Sequence, residues 1–213
     1  MMAAGAAELS RACLLVEGKD DCHVALAIYN RYCPPKQLDI RDCKGRDKVL
    51  DKLEALFADS NAPRAIGILV DAEDNPEAFW ASAREKLKEY EYDVPLPRPR
   101  EAAFFSTPRP LPPVTVWIMP DNHRPGALED LVREMMPREA CQYVEKTVAQ
   151  AQQDGVTTFK DPHWSKAIVH TYLAWQDEPG KPMGISITNA NLQPEQCPAA
   201  QLLAKWLDTL FSL

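Results

Sequence analysis

The sequence predicts an α/β fold: a parallel sheet with helices on both faces, followed by a helical C-terminal part. Three observations carry this. Short, β-branched apolar runs recur through the first 120 residues. Their continuous apolarity suits strands buried on both faces. Between them lie stretches whose apolar residues repeat at i, i+4, i+8, the spacing of one helix face.

The elements follow in order. "ACLLVEG" is the first strand, and Val24, Ile28 and Tyr32 mark the helix after it. "LDIRDC" is the second strand, followed by a helix bearing Val49, Leu53 and Phe57. "AIGILVD" is the third, with Phe79, Ala83 and Leu87 on the next helix. Asp74–Asn75–Pro76 supplies turn and N-cap chemistry for that helix. "VTVWIMPD" is the fourth strand. Strand–helix alternation of this kind implies right-handed crossovers and a parallel sheet.

Between the third helix and the fourth strand, "DVPLPRPREAAFFSTPRPLPPV" carries seven prolines over residues 93–114. It can be neither helix nor central strand. It reads as an extended surface excursion or as a substrate-facing flap, in which Arg98, Arg100, Arg109, Phe104 and Phe105 offer cations and stacking faces to a polyanion. Beyond the fourth strand the pattern is helical: "GALEDLVREMM", "REACQYVEKTVAQAQQDG", "HWSKAIVHTYLAWQD" and "AAQLLAKWLDTLFSL". The expected organisation is one domain over 1–213, with an α/β core at 12–136 and a helical extension at 137–213.

Composition narrows the function classes. A net charge of −7 argues against polyanion binding by bulk charge, while leaving room for an acidic site that recruits metal. No apolar run reaches the about 20 residues needed to span a bilayer. "MMAAGAAELSRA" has no basic segment followed by a long apolar core, so no signal peptide is expected. Six scattered cysteines without a CxxC pair suit a reduced, cytoplasmic protein and no zinc site. The four histidines fall at unhelpful spacings and read as surface or helix residues.

The strand ends are acidic. Glu17 closes the first run, Asp71 the third and Asp121 the fourth, so all three are expected at the carboxyl edge of the sheet, where open α/β sheets bind ligands. Asp20, Asp21, Glu73, Asp74, Glu129 and Asp130 follow close behind. Each has a plain structural use, since Asp20 or Asp21 can cap a helix and a first-turn Glu complements its dipole. Together they would repel one another without a counter-cation. Hard oxygen ligands suit Mg²⁺ or Mn²⁺.

These residues resemble a family. "LLVEGKDD" is similar to the first TOPRIM motif, a Glu-Gly turn after the first strand. "GILVDAEDN" resembles the second, an Asp-x-Asp after the third strand. The likeness spans about residues 12–136, and with "MPDN…GALEDL" it is closest to small stand-alone bacterial proteins allied to the overcoming-lysogenization-defect nucleases. It implies a Rossmann-like TOPRIM sheet, Mg²⁺ (or Mn²⁺) as cofactor and DNA or RNA as partner. It also implies that Glu17 is a general acid/base or metal ligand, and that Asp71 and Glu73 bind metal. Glu73 replaces the usual second aspartate, and Asp74 is an alternative ligand. The full expected metal set is Glu17, Asp21, Asp71, Glu73, Asp74, Asp121 and Glu129, with Glu17 and Asp71 catalytic.

The related nucleases also use a late lysine. Lys181 in "EPGKPMG", held by flanking prolines and glycines, is preferred over Lys166, which lies on a helix. "CKGRDK" offers Lys44, Arg46 and Lys48 for phosphate contacts at the same edge. Other acidic-strand families fit less well. Receiver domains carry their acidic pair on the first strand, and haloacid-dehalogenase phosphatases need Asp-x-Asp-x-Thr there. "EGKDD" is no Walker A loop, and a GxSxG elbow is missing. Two functions stay open: metal-dependent cleavage of DNA or RNA, and a non-catalytic metal- or nucleic-acid-binding component that partners a separately encoded ATPase or nuclease.

Overall fold

The computed structural model describes residues 9–213. The segment lacking a leader pattern lies largely outside the described residues. Five strands form one sheet: β1 (Leu9–Val16), β2 (Gln37–Asp42), β3 (Ala65–Asp71), β4 (Phe104–Phe105) and β5 (Val114–Met119). Their order is β2-β1-β3-β5-β4. The first four in that order run parallel, and only β4 is antiparallel to its neighbour. The α/β prediction with a Rossmann-like sheet is therefore met.

Strand pleating divides the core into two layers. Ala12, Leu14 and Val16 of β1 join one cluster, while Cys13 and Leu15 join the other. On β5, Trp117 and Met119 face the first layer, and Val116 and Ile118 the second. Leu14, Leu15, Ile68, Leu69, Val116 and Ile118 are all buried, as expected of central strands. The second layer is covered by α2 (Asp47–Phe57) and α3 (Pro76–Glu89), through Val49, Leu53, Phe79, Ala83 and Leu87. Asn75 caps α3 by accepting from the Glu77 amide.

The first layer is covered by α1 (Lys19–Tyr32) and by the C-terminal helices: α4 (Leu128–Glu134), α5 (Arg138–Gln153), α6 (Trp164–Ala174), α7 (Met183–Thr188) and α8 (Pro198–Phe211). The C-terminal part is thus no appendage. Trp206 of α8 donates to Thr115 Oγ1 on β5 at 2.9 Å, and Leu207, Leu210 and Phe211 are buried beside it. Gly67 of β3 makes this approach close, because a Cβ there would run into the Leu210 side chain. Helix α7 escaped the sequence reading: at six residues it is too short to show a period.

The proline-rich excursion is more deeply seated than a surface loop. Phe105 packs on Trp80 with ring centroids 5.5 Å apart, and Tyr92 and Val94 are buried with it. Tyr92 Oη donates to the Pro112 carbonyl at 2.5 Å. No described helix is long and apolar enough to cross a membrane. All six cysteines are free, and all four histidines are exposed.

Candidate functional site

The parallel register aligns the strand ends. Val16 pairs with Leu69, and Asp71 with Met119, so Glu17 and Asp71 emerge side by side at the carboxyl edge. The Asp71 amide donates to Glu17 Oε1 at 2.8 Å. Asp71 Oδ1 in turn accepts from the Leu128 amide at 2.9 Å, at the first turn of α4. The loop after β2 closes on the same point, since the Gly45 amide donates to the Glu17 carbonyl.

Two helices here begin with the same device. Asp21 reaches back to the Gly18 amide of α1 at 3.0 Å, and Asp130 reaches back to the Ala127 amide of α4 at 2.8 Å. In each, the third helical residue satisfies an orphan donor. Asp130 is structural, because its other oxygen accepts from Ser165 Oγ at 2.5 Å. Asp21 caps its helix and is also buried at the site.

Asp71 and Asp21 carry the charge of their carboxylate neighbours. Burial pushes Asp71 up to about 8, and the negative charges of Asp21, Glu17 and Glu129 add to it. Burial pushes Asp21 up to about 7, with Glu17 next in effect. Burial also raises Glu17, against the Asp71 amide and the Arg46 guanidinium, which pull it down. Lys166 of α6 lies 3.2 Å from Glu129 and is the cation paired with this group.

Several expected site residues stand elsewhere. Glu73 has a left-handed backbone (φ 53°) and a side chain 69% exposed, paired with Arg46 at 2.7 Å. Its backbone bridges Gly126 in both directions, so the β3–α3 turn is tied to the loop before α4. Glu73 is thus a rim charge rather than a buried ligand, and Asp74 is exposed in the same turn. Asp121 shares the edge, but its oxygens are taken. Oδ1 accepts from the His123 and Arg124 amides, and Oδ2 from Arg124 Nε at 2.6 Å. Burial raises Asp121, but these bonds outweigh it and hold the carboxyl below its ordinary value. Two residues beyond the end of β5, it closes a turn instead of facing Glu17.

The basic residues also sort differently from expectation. Lys181 pairs with Glu178 at 2.8 Å on the turn before α7, so Lys166, the residue passed over, is the lysine beside the acids. A helix face alone gave no reason to choose it, because its partner lies on another helix. Lys44 pairs with Asp42, and Arg46 lies 5.4 Å over the Phe79 ring. Lys48 is exposed and has no ion pair among the described residues.

The donor set is all carboxylate oxygen, buried and short of positive charge, which is the chemistry of a hard divalent cation. Among the described residues, no three acids, histidines or cysteines are drawn in around a single point. The fold and site define an α/β protein with a carboxylate cluster at the carboxyl edge of its sheet. Residues 11–212 match the family described as "Protein of unknown function (DUF3226)", and the chain belongs to that family. Comparison with curated proteins and with solved structures finds no match.

Proposed function

We propose that this chain is a TOPRIM-like, Mg²⁺- or Mn²⁺-dependent enzyme of the cytoplasm that cleaves phosphodiesters in DNA or RNA. One observation carries the reading: burial and the charges of Glu17 and Glu129 raise both Asp21 and Asp71 at one sheet edge, with Lys166 as the cation paired to Glu129. Such a set is costly unless it performs a task, and perturbed carboxyls brought together at a strand edge are a common mark of one. Asp71 would hold the ion, with Asp21 or Glu129 as a second ligand and water completing its shell. When bound, the metal would polarise a phosphate and lower the pKa of a water. Glu17, raised by burial and oriented by the Asp71 amide, would take up or release the proton. Lys166 is placed to stabilise charge that develops on the phosphate. Lys48, exposed and without an ion pair among the described residues, is available for backbone contacts.

The test is cleavage of labelled DNA and RNA by the purified chain with Mg²⁺, Mn²⁺ or EDTA. Metal-dependent cleavage that Asp71→Ala abolishes supports the reading. A second reading has one observation in its favour, the acids not being drawn around a single point. It is a non-catalytic metal- or nucleic-acid-binding component that works with a separate ATPase or nuclease. Metal binding without cleavage of any substrate would select it.

A further inference from the structure

A cleft opens on the far side of β5, between the proline-rich excursion and α8. Its volume is about 480 Å³, within the range of small-molecule sites. Part-exposed Phe104 from β4 lines its wall, and the indoles of Trp117 from β5 and Trp206 from α8, only 4% and 5% exposed, form its floor. The two indoles lie 5.7 Å apart between centroids. The Trp117 indole N–H is buried without a hydrogen-bond partner, whereas Trp206 spends its own on Thr115.

The mouth of the cleft is charged. Arg100 and Lys205 line it, both exposed and, among the described residues, both without an ion pair. The other two arginines of the excursion are occupied, Arg98 by Glu77 and Arg109 by Glu91. Of the two acids in the lining, Asp121 is neutralised by Arg124, which leaves Glu101 against two cations. In a chain of net charge −7, such a surplus of positive charge beside an aromatic wall is local and specific.

We infer that this cleft binds a nucleotide, its planar base against the Phe104 ring over the indole floor and its phosphate between Arg100 and Lys205. Stacking faces beside free cations are the chemistry that recognises a base attached to an anion. The volume suits one nucleotide, either a free mononucleotide or an unpaired nucleotide of a strand. The inference does not rest on metal chemistry at the acidic edge.

The test is calorimetric titration of the full chain in EDTA with adenosine monophosphate, thymidine monophosphate and a short oligothymidylate. Binding of a mononucleotide supports the site with the free ligand as source. Binding of the oligonucleotide alone supports it with a strand as source. In either case, Arg100→Glu combined with Lys205→Glu weakens binding about tenfold or more, and lowers the salt slope for the oligonucleotide by about 1. Both side chains are exposed, so the variant folds, which its circular dichroism checks. No binding of any of the three ligands overturns the proposal, and so does wild-type affinity in the double variant. Binding lost in Asp71→Ala but kept in the double variant places the nucleotide at the acidic edge and likewise overturns it.

Discussion

The Asp71 amide donates to the Glu17 carboxylate across 54 residues of sequence, at 2.8 Å. One strand-end acid is thereby oriented by the backbone of the next, and the Asp71 side chain is left free to meet the amide of Leu128. The site is held from three elements, β1, β3 and α4, with its charge largely uncompensated.

That imbalance predicts a pH dependence of stability. An unfolded aspartate titrates near 3.8, whereas Asp71 folded titrates near about 8 and Asp21 near about 7. Between these values the folded state holds the extra protons, so stability falls as pH rises, and it levels off above about 8. Thermal melts of the metal-free chain should show a declining Tm from about pH 5 to about pH 8. Asp71→Asn should flatten the profile and melt at least about 3 °C higher near pH 8, as about 1 kcal/mol shifts a chain of this size by about 2–4 °C. A wild-type profile in this variant would show that Asp71 is not raised.

A divalent cation should reverse the same trend. It competes with protons for these carboxylates, so saturating Mg²⁺ or Mn²⁺ should raise the Tm more near pH 8 than near pH 5. The gain should vanish in Asp71→Ala. An equal rise at both pH values would point to an effect away from the cluster.

The two lysines separate cleanly. If the chain cleaves phosphodiesters, Lys166→Ala should cost on the order of a hundredfold in kcat at saturating metal, as losing a charge-stabilising donor does. Lys181→Ala should leave the rate unchanged, because its partner is the exposed Glu178. Single-turnover rates decide it, and the opposite ranking would return the late-lysine role to Lys181.

Arg46 has a structural and an electrostatic role. Its guanidinium lies over Phe79, pairs with Glu73 and holds Glu17 down. Arg46→Ala should cost about 1 kcal/mol, chiefly through the lost ring contact, since the pair with exposed Glu73 contributes little. It should also raise the pKa of Glu17, which carboxyl-resolved NMR titration reads directly. An unmoved Glu17 titration would show that this cation does not act on the site.

Helix α7 should depend on Gly184. A Cβ there would stand 2.5 Å from the backbone oxygen of His23 on α1, which cannot move aside as a side-chain tip can. Gly184→Ala should therefore destabilise the chain by about 1–3 kcal/mol in urea unfolding, the usual cost of overpacking. A neutral substitution would mean that α7 is free to lift away from α1.

The sequence by itself determined the four parallel strands, the helices long enough to show a period, and the acidic edge. Each of these is set by local spacing: apolar runs of strand length, i, i+4 repeats, and carboxylates at the residue where a strand must end. Glu17 and Asp71 were legible for that reason. Only the tertiary structure decided which acids share one environment. Asp21 and Glu129 enter it from helix starts, while Asp74 and Asp121 stand in turns that give them solvent or an arginine instead. It also decided that Lys166, and not Lys181, meets the acids, and that Arg100 keeps its charge free while Arg98 does not. Ion pairing and desolvation depend on distances between residues far apart in the chain, and no local pattern encodes those distances.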